Sequence, residues 1–214
     1  MPTNNKIILG ITGAIVIIVL IFGIKASLKP PTDISATTTL VNTPATGSGL
    51  PGIQISLTPW APEISHLSQR LATIGLPALA QEGTALHIHQ HLNIIIHGQA
   101  VAVPAEIGIN QFAGFISPIH VHDTSGVIHV ESPTIQKFTL GQFFDIWGVR
   151  FTQDAIGGYS TDANLSMQVY VNGKKVDGAF RDIELTAHQE IAIVFGTVQE
   201  APKDIPATYN FGSL

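Results

Sequence analysis

The sequence predicts an α+β protein: a β-rich mixed sheet with an inserted histidine-bearing hairpin, preceded by one transmembrane helix. Three observations lead to this expectation. From Leu86 onward apolar and polar residues alternate, which is typical of strands with one buried face. Turns at Gly98 and at Asn172-Gly173 join pairs of such strands. Between the two turns, Thr139 opens a short helical pattern.

The first sixty residues do not have the pattern of a globular domain. Ile7 to Ile24 is an unbroken run of 18 uncharged, mostly apolar residues, and such a helix would span about 27 Å, close to the thickness of a bilayer core. The run is longer than the core of a cleavable signal and lacks a small-residue exit, so we expect an uncleaved anchor over residues 1–25. Residues 26–60 have the composition of a flexible Pro/Thr/Ser/Gly linker, which leaves residues 61–214 for one domain.

Charge alone does not orient the anchor, because Lys6 lies before the span while Lys25 and Lys29 lie after it. The short N-terminal tail and the composition of the linker favour a single-pass plasma-membrane protein with an extracytoplasmic C-terminal domain. The chain has 10 Lys+Arg, 15 Asp+Glu and no cysteine. An acidic surface argues against nucleic acid as a partner, and the lack of cysteine excludes disulfides and thiolate ligands.

Two helices are predicted in the domain. Apolar residues at helical spacing indicate a helix over Pro62 to Ile74, with Gly75 suited to the C-cap. Thr139 and Gln142 form a T-x-x-Q capping box, which predicts a short helix from about Leu140 to Trp147.

Strands account for most of the rest. Leu92 to Pro104 is typical of two strands joined at Gly98, and Met167 to Val176 is typical of an Asn-Gly hairpin. Glu190 to Gly196 is apolar enough to be a central strand of the sheet.

Seven of the nine histidines lie between positions 87 and 129. Side chains alternate between the faces of a strand, so the three histidines of His87-Ile-His89-Gln-His91 share one face, and the two of His120-Val-His122 share another. Asp123 to Gly126 is typical of a tight turn, which predicts that Val127 to Glu131 folds back beside the second segment. His129 and Glu131 would then lie near the His120-Val-His122 pair.

This histidine constellation predicts a metal site. Burying so many imidazoles without partners would cost about 1–3 kcal/mol for each unsatisfied group. Imidazole ligands suit Zn²⁺ or Cu²⁺, and one or more ions could bind. We predict six ligands: His87, His89, His91, His120, His122 and His129. Carboxylates and amides usually accept the second N–H of a ligating histidine, and the residues suited to that role are Asp123, Glu131 and Asn93.

The order of elements resembles a β-grasp, or ubiquitin-like, domain. The segments that carry this resemblance are Asn93 to Pro104, Phe138 to Val149, Val169 to Val176 and Ile191 to Gly196. They are similar to the sulfur-carrier branch of that fold, including the run V-N-G-K. Carriers end in Gly-Gly, whereas this chain ends Asn210-Phe-Gly-Ser-Leu214. The resemblance therefore implies the fold and no sulfur chemistry.

Three motifs, HxHxHL, HxHDxSGxIHxES and FTLGxFFDxWG, occur at His87 to Leu92, His120 to Ser132 and Phe138 to Gly148. Together they resemble a group of uncharacterised membrane-anchored bacterial proteins, over residues 80–196. The resemblance implies a family and no activity.

Three functions follow as hypotheses. The first is a membrane-anchored, extracytoplasmic histidine-rich protein that binds, delivers or senses Zn²⁺ or Cu²⁺. The second is a metal-dependent hydrolase or hydratase, because His120, His122 and His129 resemble the three-histidine zinc site of α-class carbonic anhydrases, with Glu131 or Asp123 as general base. The third is a non-catalytic structural subunit of a membrane complex. A solvated strand face without ligand, or proton-linked switching by the histidines, would explain the same pattern. No catalytic residue and no organic-cofactor site is predicted.

Overall fold

The computed structural model of the chain describes residues 49–214. It confirms the predicted α+β class, since a mixed seven-stranded sheet is accompanied by two short α-helices in this part of the chain. The helices are α1 (Leu67–Ile74) and α2 (Leu140–Trp147), and a 3₁₀ turn covers Phe180–Asp182. The strands are β1 (Leu86–Ile96), β2 (Gln99–Val101), β3 (Ile109–Asn110), β4 (Phe115–Ile116), β5 (Ile119–His120), β6 (Val127–Ser132), β7 (Ala155–Ile156), β8 (Tyr159–Ser160), β9 (Ser166–Val171), β10 (Lys174–Lys175) and β11 (Gln189–Gly196).

The main sheet has the strand order β10-β9-β11-β1-β6-β5, and β2 also pairs with β1. β1 and β11 run parallel, whereas the other neighbours are antiparallel. β11 lies between β9 and β1, which confirms the central position predicted for residues 190–196. The two predicted turns are also present, because Gly98 has a φ of 72° between β1 and β2, and Asn172-Gly173 has φ values of 51° and 74° between β9 and β10.

β1 is long enough to change partner along one of its edges. Its first part, Leu86 to His91, pairs with β6, whereas its last part, Ile94 to Ile96, pairs with β2. The parallel strand β11 runs along the other edge from Gln90 to Ile96. The histidine-bearing end of β1 therefore extends beyond its own hairpin and lies beside β6.

Helix α2 has the predicted bounds. The Thr139 hydroxyl accepts the N–H of Gln142, and the Gln142 side chain accepts the N–H of Thr139, so the capping box is complete. Gly148 ends the helix in the left-handed conformation, with a φ of 79°. Phe143 and Phe144 are fully buried, so α2 contributes much of the apolar core.

Helix α1 is shorter than the prediction of Pro62 to Ile74, because it begins at Leu67. The backbone of Glu63 is engaged elsewhere: its N–H donates to the Trp147 carbonyl at 3.2 Å, and its carbonyl accepts from the Arg70 guanidinium. These two contacts replace helical hydrogen bonds of the Glu63 backbone, so the helix begins after residue 66. The predicted C-cap at Gly75 is confirmed.

The predicted linker of residues 26–60 extends too far, because its last part belongs to the domain. Leu50 and Trp60 are buried. Gln54 donates its N–H to the Gly148 carbonyl at 2.8 Å, and the Trp60 ring lies edge-on to Trp147 at a centroid distance of 5.8 Å. Composition gave no sign of these contacts, since they are made with residues about ninety positions away.

No helix within residues 49–214 combines the length and apolar character needed to cross a bilayer. The predicted anchor over residues 1–25 lies outside the described residues.

We expect Trp60→Ala to lower the free energy of unfolding by about 3–5 kcal/mol, because the substitution removes a buried aromatic ring and leaves a cavity. Ile55→Ala is the matched control: Ile55 is 67% exposed, and such a change costs within about 0.5 kcal/mol. Urea denaturation of the two variants measures the difference. Equal stabilities would contradict the assignment of residues 50–60 to the domain.

Candidate metal centre

Three adjacent strands bring histidines together on one face of the main sheet. β6 lies between β1 and β5, and the register places His89 opposite His129 and His129 opposite His120. In the next row His87 lies opposite Glu131. The rings of His89 and His120 lie 4.6 and 5.4 Å from the ring of His129, measured between centroids. Strand β1, which carries His87 and His89, therefore lies beside the hairpin of β5 and β6.

Two overlapping groups of four side chains each offer ligand atoms that lie within 4.8 Å of one another. One group consists of His87, His89, His129 and Glu131, and the other of His120, His122, His129 and Glu131. His129 and Glu131, both on the middle strand β6, belong to both groups. Five of the six histidines predicted as ligands are thus placed where they could hold a metal ion.

The ring nitrogens face each other within each H-x-H pair. Nε2 of His87 lies 3.1 Å from Nε2 of His89, and Nε2 of His120 lies 3.1 Å from Nε2 of His122. Two nitrogens bound to one tetrahedral zinc ion at about 2.0–2.1 Å would lie about 3.3 Å apart. Each pair is therefore already close to the spacing that a shared ion needs.

His120 is oriented for coordination by its second nitrogen. Its Nδ1 lies 3.0 Å from the carbonyl oxygen of Ser117, which can only accept, so Nδ1 carries the hydrogen and Nε2 is left with a free lone pair. A backbone carbonyl is a usual partner for the second nitrogen of a ligating histidine. The side chain of His120 is fully buried, so this orientation is fixed by packing.

Burial and neighbouring imidazoles keep His120 and His129 neutral. Burial, and then the charge of His122, lower the pKa of His120 to about 3. The same two causes lower the pKa of His129 to about 4. A metal ion binds only the neutral imidazole, so both side chains are in the binding form at neutral pH.

Glu131 lies at the centre of the site. Its Oε1 is 3.2 Å from Nε2 of His87 and 3.2 Å from Nδ1 of His129. Burial, and then the neighbouring carboxyl of Glu82, raise the pKa of Glu131 to about 7. We predicted that Glu131 would support the ligands, and it lies close enough to act as a ligand itself.

Sequence reasoning missed Glu82, whose Oε1 lies 3.3 Å from Nε2 of His122. Glu82 belongs to a loop whose two ends are fixed by backbone hydrogen bonds. Leu79 and Ile116 exchange two such bonds of 2.8 Å, and Ala85 donates to the Ser132 carbonyl at 3.0 Å. No local motif marks Glu82, because only these long-range contacts bring it to the histidines.

His91 was predicted as a ligand, but neither group includes it. Its Nδ1 lies 2.8 Å from a carboxylate oxygen of Glu190, its Nε2 lies 2.9 Å from the carbonyl oxygen of Ser125, and its ring stacks on Tyr209. Both ring nitrogens thus face acceptors, so neither is directed to an ion. Asn93 also donates to Glu190, so it supports His91 and not a metal ligand.

Asp123 stabilises the turn of the hairpin. Its Oδ1 accepts the N–H of Ser125 at 2.8 Å, and hydrogen bonds from Ser125 lower the pKa of this exposed carboxyl. This hydrogen bond explains why Asp123 stands at this position of the turn without a role in metal binding.

Comparisons with protein-family models, curated proteins and solved structures found no match to this chain. The two resemblances noted in the sequence therefore stay expectations. Function has to be inferred from the arrangement of the side chains.

We expect the metal-free protein to lose stability as the pH falls below about 6.5. The unfolded chain takes up protons on His120 and His129 near their ordinary pKa of 6.5, whereas the folded chain takes them up only near about 3 and about 4. The free energy of unfolding therefore decreases through this window. Glu131, with its raised pKa, contributes the opposite slope between 4.5 and about 7.

Urea denaturation of His120→Gln and the wild type between pH 7.5 and pH 4 separates these contributions. As the pH falls, the wild type should lose more stability than His120→Gln, because the variant lacks the His120 imidazole. His97→Gln is the control, because His97 is a half-exposed turn residue paired with Glu200. If His120→Gln and the wild type change in parallel with pH, the prediction is wrong.

Proposed function

We propose that this protein binds Zn²⁺ or Cu²⁺ through the histidine face of its sheet and acts in the binding, delivery or sensing of that metal. The observation that carries the proposal is the arrangement of the two H-x-H pairs around His129 and Glu131, with every ligand atom of each group within 4.8 Å. His120 uses its only N–H on the Ser117 carbonyl, so its Nε2 offers a lone pair to an ion.

The chemistry of the ligands selects the metal. Imidazole and carboxylate ligands suit Zn²⁺ and Cu²⁺, whereas Cu⁺ prefers thiolate or thioether sulfur. The chain has no cysteine, and Met167 is its only methionine after Met1. Met167 lies on β9, two strands away from β1 in the sheet. A soft copper(I) site is therefore disfavoured.

We also propose that the domain is a variant of the β-grasp fold. Hairpin β1-β2, helix α2, hairpin β9-β10 and the last strand β11, parallel to β1, follow one another in that order. The hairpin of β5 and β6 would then be an insertion that extends the sheet on the far side of β1. In this interpretation the insertion supplies four of the six side chains in the two groups.

For location, we propose a single-pass membrane protein whose metal-binding domain is extracytoplasmic, in the group of membrane-anchored bacterial proteins that its motifs resemble. The apolar run of Ile7 to Ile24 supports the anchor. A protease-protection experiment on intact cells tests the orientation, since an extracytoplasmic domain is digested without lysis.

A metal-dependent hydrolase or hydratase is the second candidate, and one observation favours it. His120, His122 and His129 form a three-histidine group with a carboxylate beside it, which could leave a coordination position for water. X-ray absorption of the zinc-loaded protein distinguishes the two candidates. Three protein ligands and a water support an enzyme, whereas a complete shell of protein ligands supports binding alone.

We expect His129→Ala to lower the affinity for Zn²⁺ by at least about tenfold, because His129 belongs to both ligand groups. Isothermal titration and elemental analysis of protein purified without chelator or affinity tag provide the measurement. His97→Ala is the matched control and should bind as the wild type does, since His97 lies outside both groups. A wild-type protein that takes up no metal would disprove the proposed function.

A further inference from the structure

We infer that the histidine face is a binuclear site, in which each H-x-H pair holds its own divalent ion and Glu131 bridges the two. The inference rests on the proposed function and extends it in stoichiometry and in ligands. It also assigns Glu82, which lies beside His122 but outside both groups, as an additional ligand of the ion held by His120 and His122.

The first step concerns the number of ligands. A tetrahedral ion takes four, whereas the two groups together contain six side chains. Among residues 49–214, no single group with mutual distances within 4.8 Å contains both H-x-H pairs. One ion therefore cannot bind all six side chains. The two H-x-H pairs, His87 with His89 and His120 with His122, belong to different groups.

The second step concerns the strands. His87 and His89 lie on β1, on one side of β6. His120 is the last residue of β5, on the other side of β6, and His122 follows it two residues later. Neighbouring strands are about 4.8 Å apart, so the two outer backbones are about 10 Å apart. Within each H-x-H pair the two Nε2 atoms are only 3.1 Å apart. The sheet thus presents two half-sites, one on each side of the middle strand.

The third step concerns the bridge. Glu131 is the carboxylate common to both groups, and its side chain is only 5% exposed. A carboxylate has two oxygens that can bind different ions, and ions bridged in this way lie about 3.5–4 Å apart. That separation fits side chains that converge from strands on either side of β6. His129 also lies on β6, between the two H-x-H pairs, and belongs to both groups.

The fourth step concerns Glu82. Its Oε1 lies 3.3 Å from Nε2 of His122. The loop that carries Glu82 is held closely against the middle strand, because a Cβ at Gly83 would lie 2.1 Å from the Ser132 carbonyl carbon. Glu82 is therefore held beside His122, where it adds a second carboxylate to the half-site of His120 and His122, whereas the half-site of His87 and His89 has Glu131 alone.

Titration of the full chain with Zn²⁺, followed by elemental analysis, tests the inference. The wild type should bind two ions for each chain. His87→Ala/His89→Ala and His120→Ala/His122→Ala should each retain one. His66→Ala/His97→Ala, which removes two histidines outside the groups, is the control and should retain two.

The variant Glu82→Gln tests the added ligand without threatening the fold, because the Glu82 side chain is 49% exposed. It should lower the affinity for one of the two ions by about tenfold or more and leave the affinity for the other unchanged. Loading with Cu²⁺ gives an independent signal, since two bridged copper ions couple magnetically. The integrated electron paramagnetic resonance intensity should then be well below the copper content.

Three outcomes separate this inference from the proposed function. One ion for each chain, lost equally in both double variants, would overturn the binuclear site and leave the metal-binding function intact. Normal affinities of both ions in Glu82→Gln would remove Glu82 from the ligands. Absence of any bound metal in the wild type would overturn both proposals.

Discussion

The antiparallel pairing of β6 with both β1 and β5 is the constraint on which the candidate site depends. This pairing aligns His89, His129 and His120 in one row across three strands. Because side chains alternate along a strand, a slip of one residue in either pairing would turn the middle histidine toward the core and an apolar residue toward the ligands. The chemistry of the face is therefore inseparable from the register of the sheet.

The register is held by the other face of the same strands. Ile128 and Val130 alternate with His129 on β6 and are fully buried, so the apolar core fixes which residues point outward. The turn of the hairpin is attached separately, because Leu92 donates its N–H to the Gly126 carbonyl at 2.9 Å and His91 contacts the Ser125 carbonyl. The candidate ligands are thus oriented by the fold itself, and such preorganisation is the arrangement that favours tight and selective binding.

Electrostatics support the same conclusion. Burial disfavours charge on three groups of the site: it lowers the pKa of His120 and His129 and raises that of Glu131. His120 and His129 are therefore neutral at pH 7. This is the form of the side chain that the proposed metal ion would bind.

The amino-acid sequence by itself determined the local elements: the α+β class, the capped helix Leu140–Trp147, the Asn172-Gly173 hairpin, and the turn that folds His129 back toward His120. These depend on backbone conformations and hydrogen bonds between residues close in the chain. Only the tertiary structure decided that Glu82 lies beside His122 and that Trp60 belongs to the domain. It also decided that His91 pairs with Glu190, 99 positions away, and is therefore not among the candidate ligands. Such contacts depend on which distant strands bury their apolar faces together, and no local pattern records that choice.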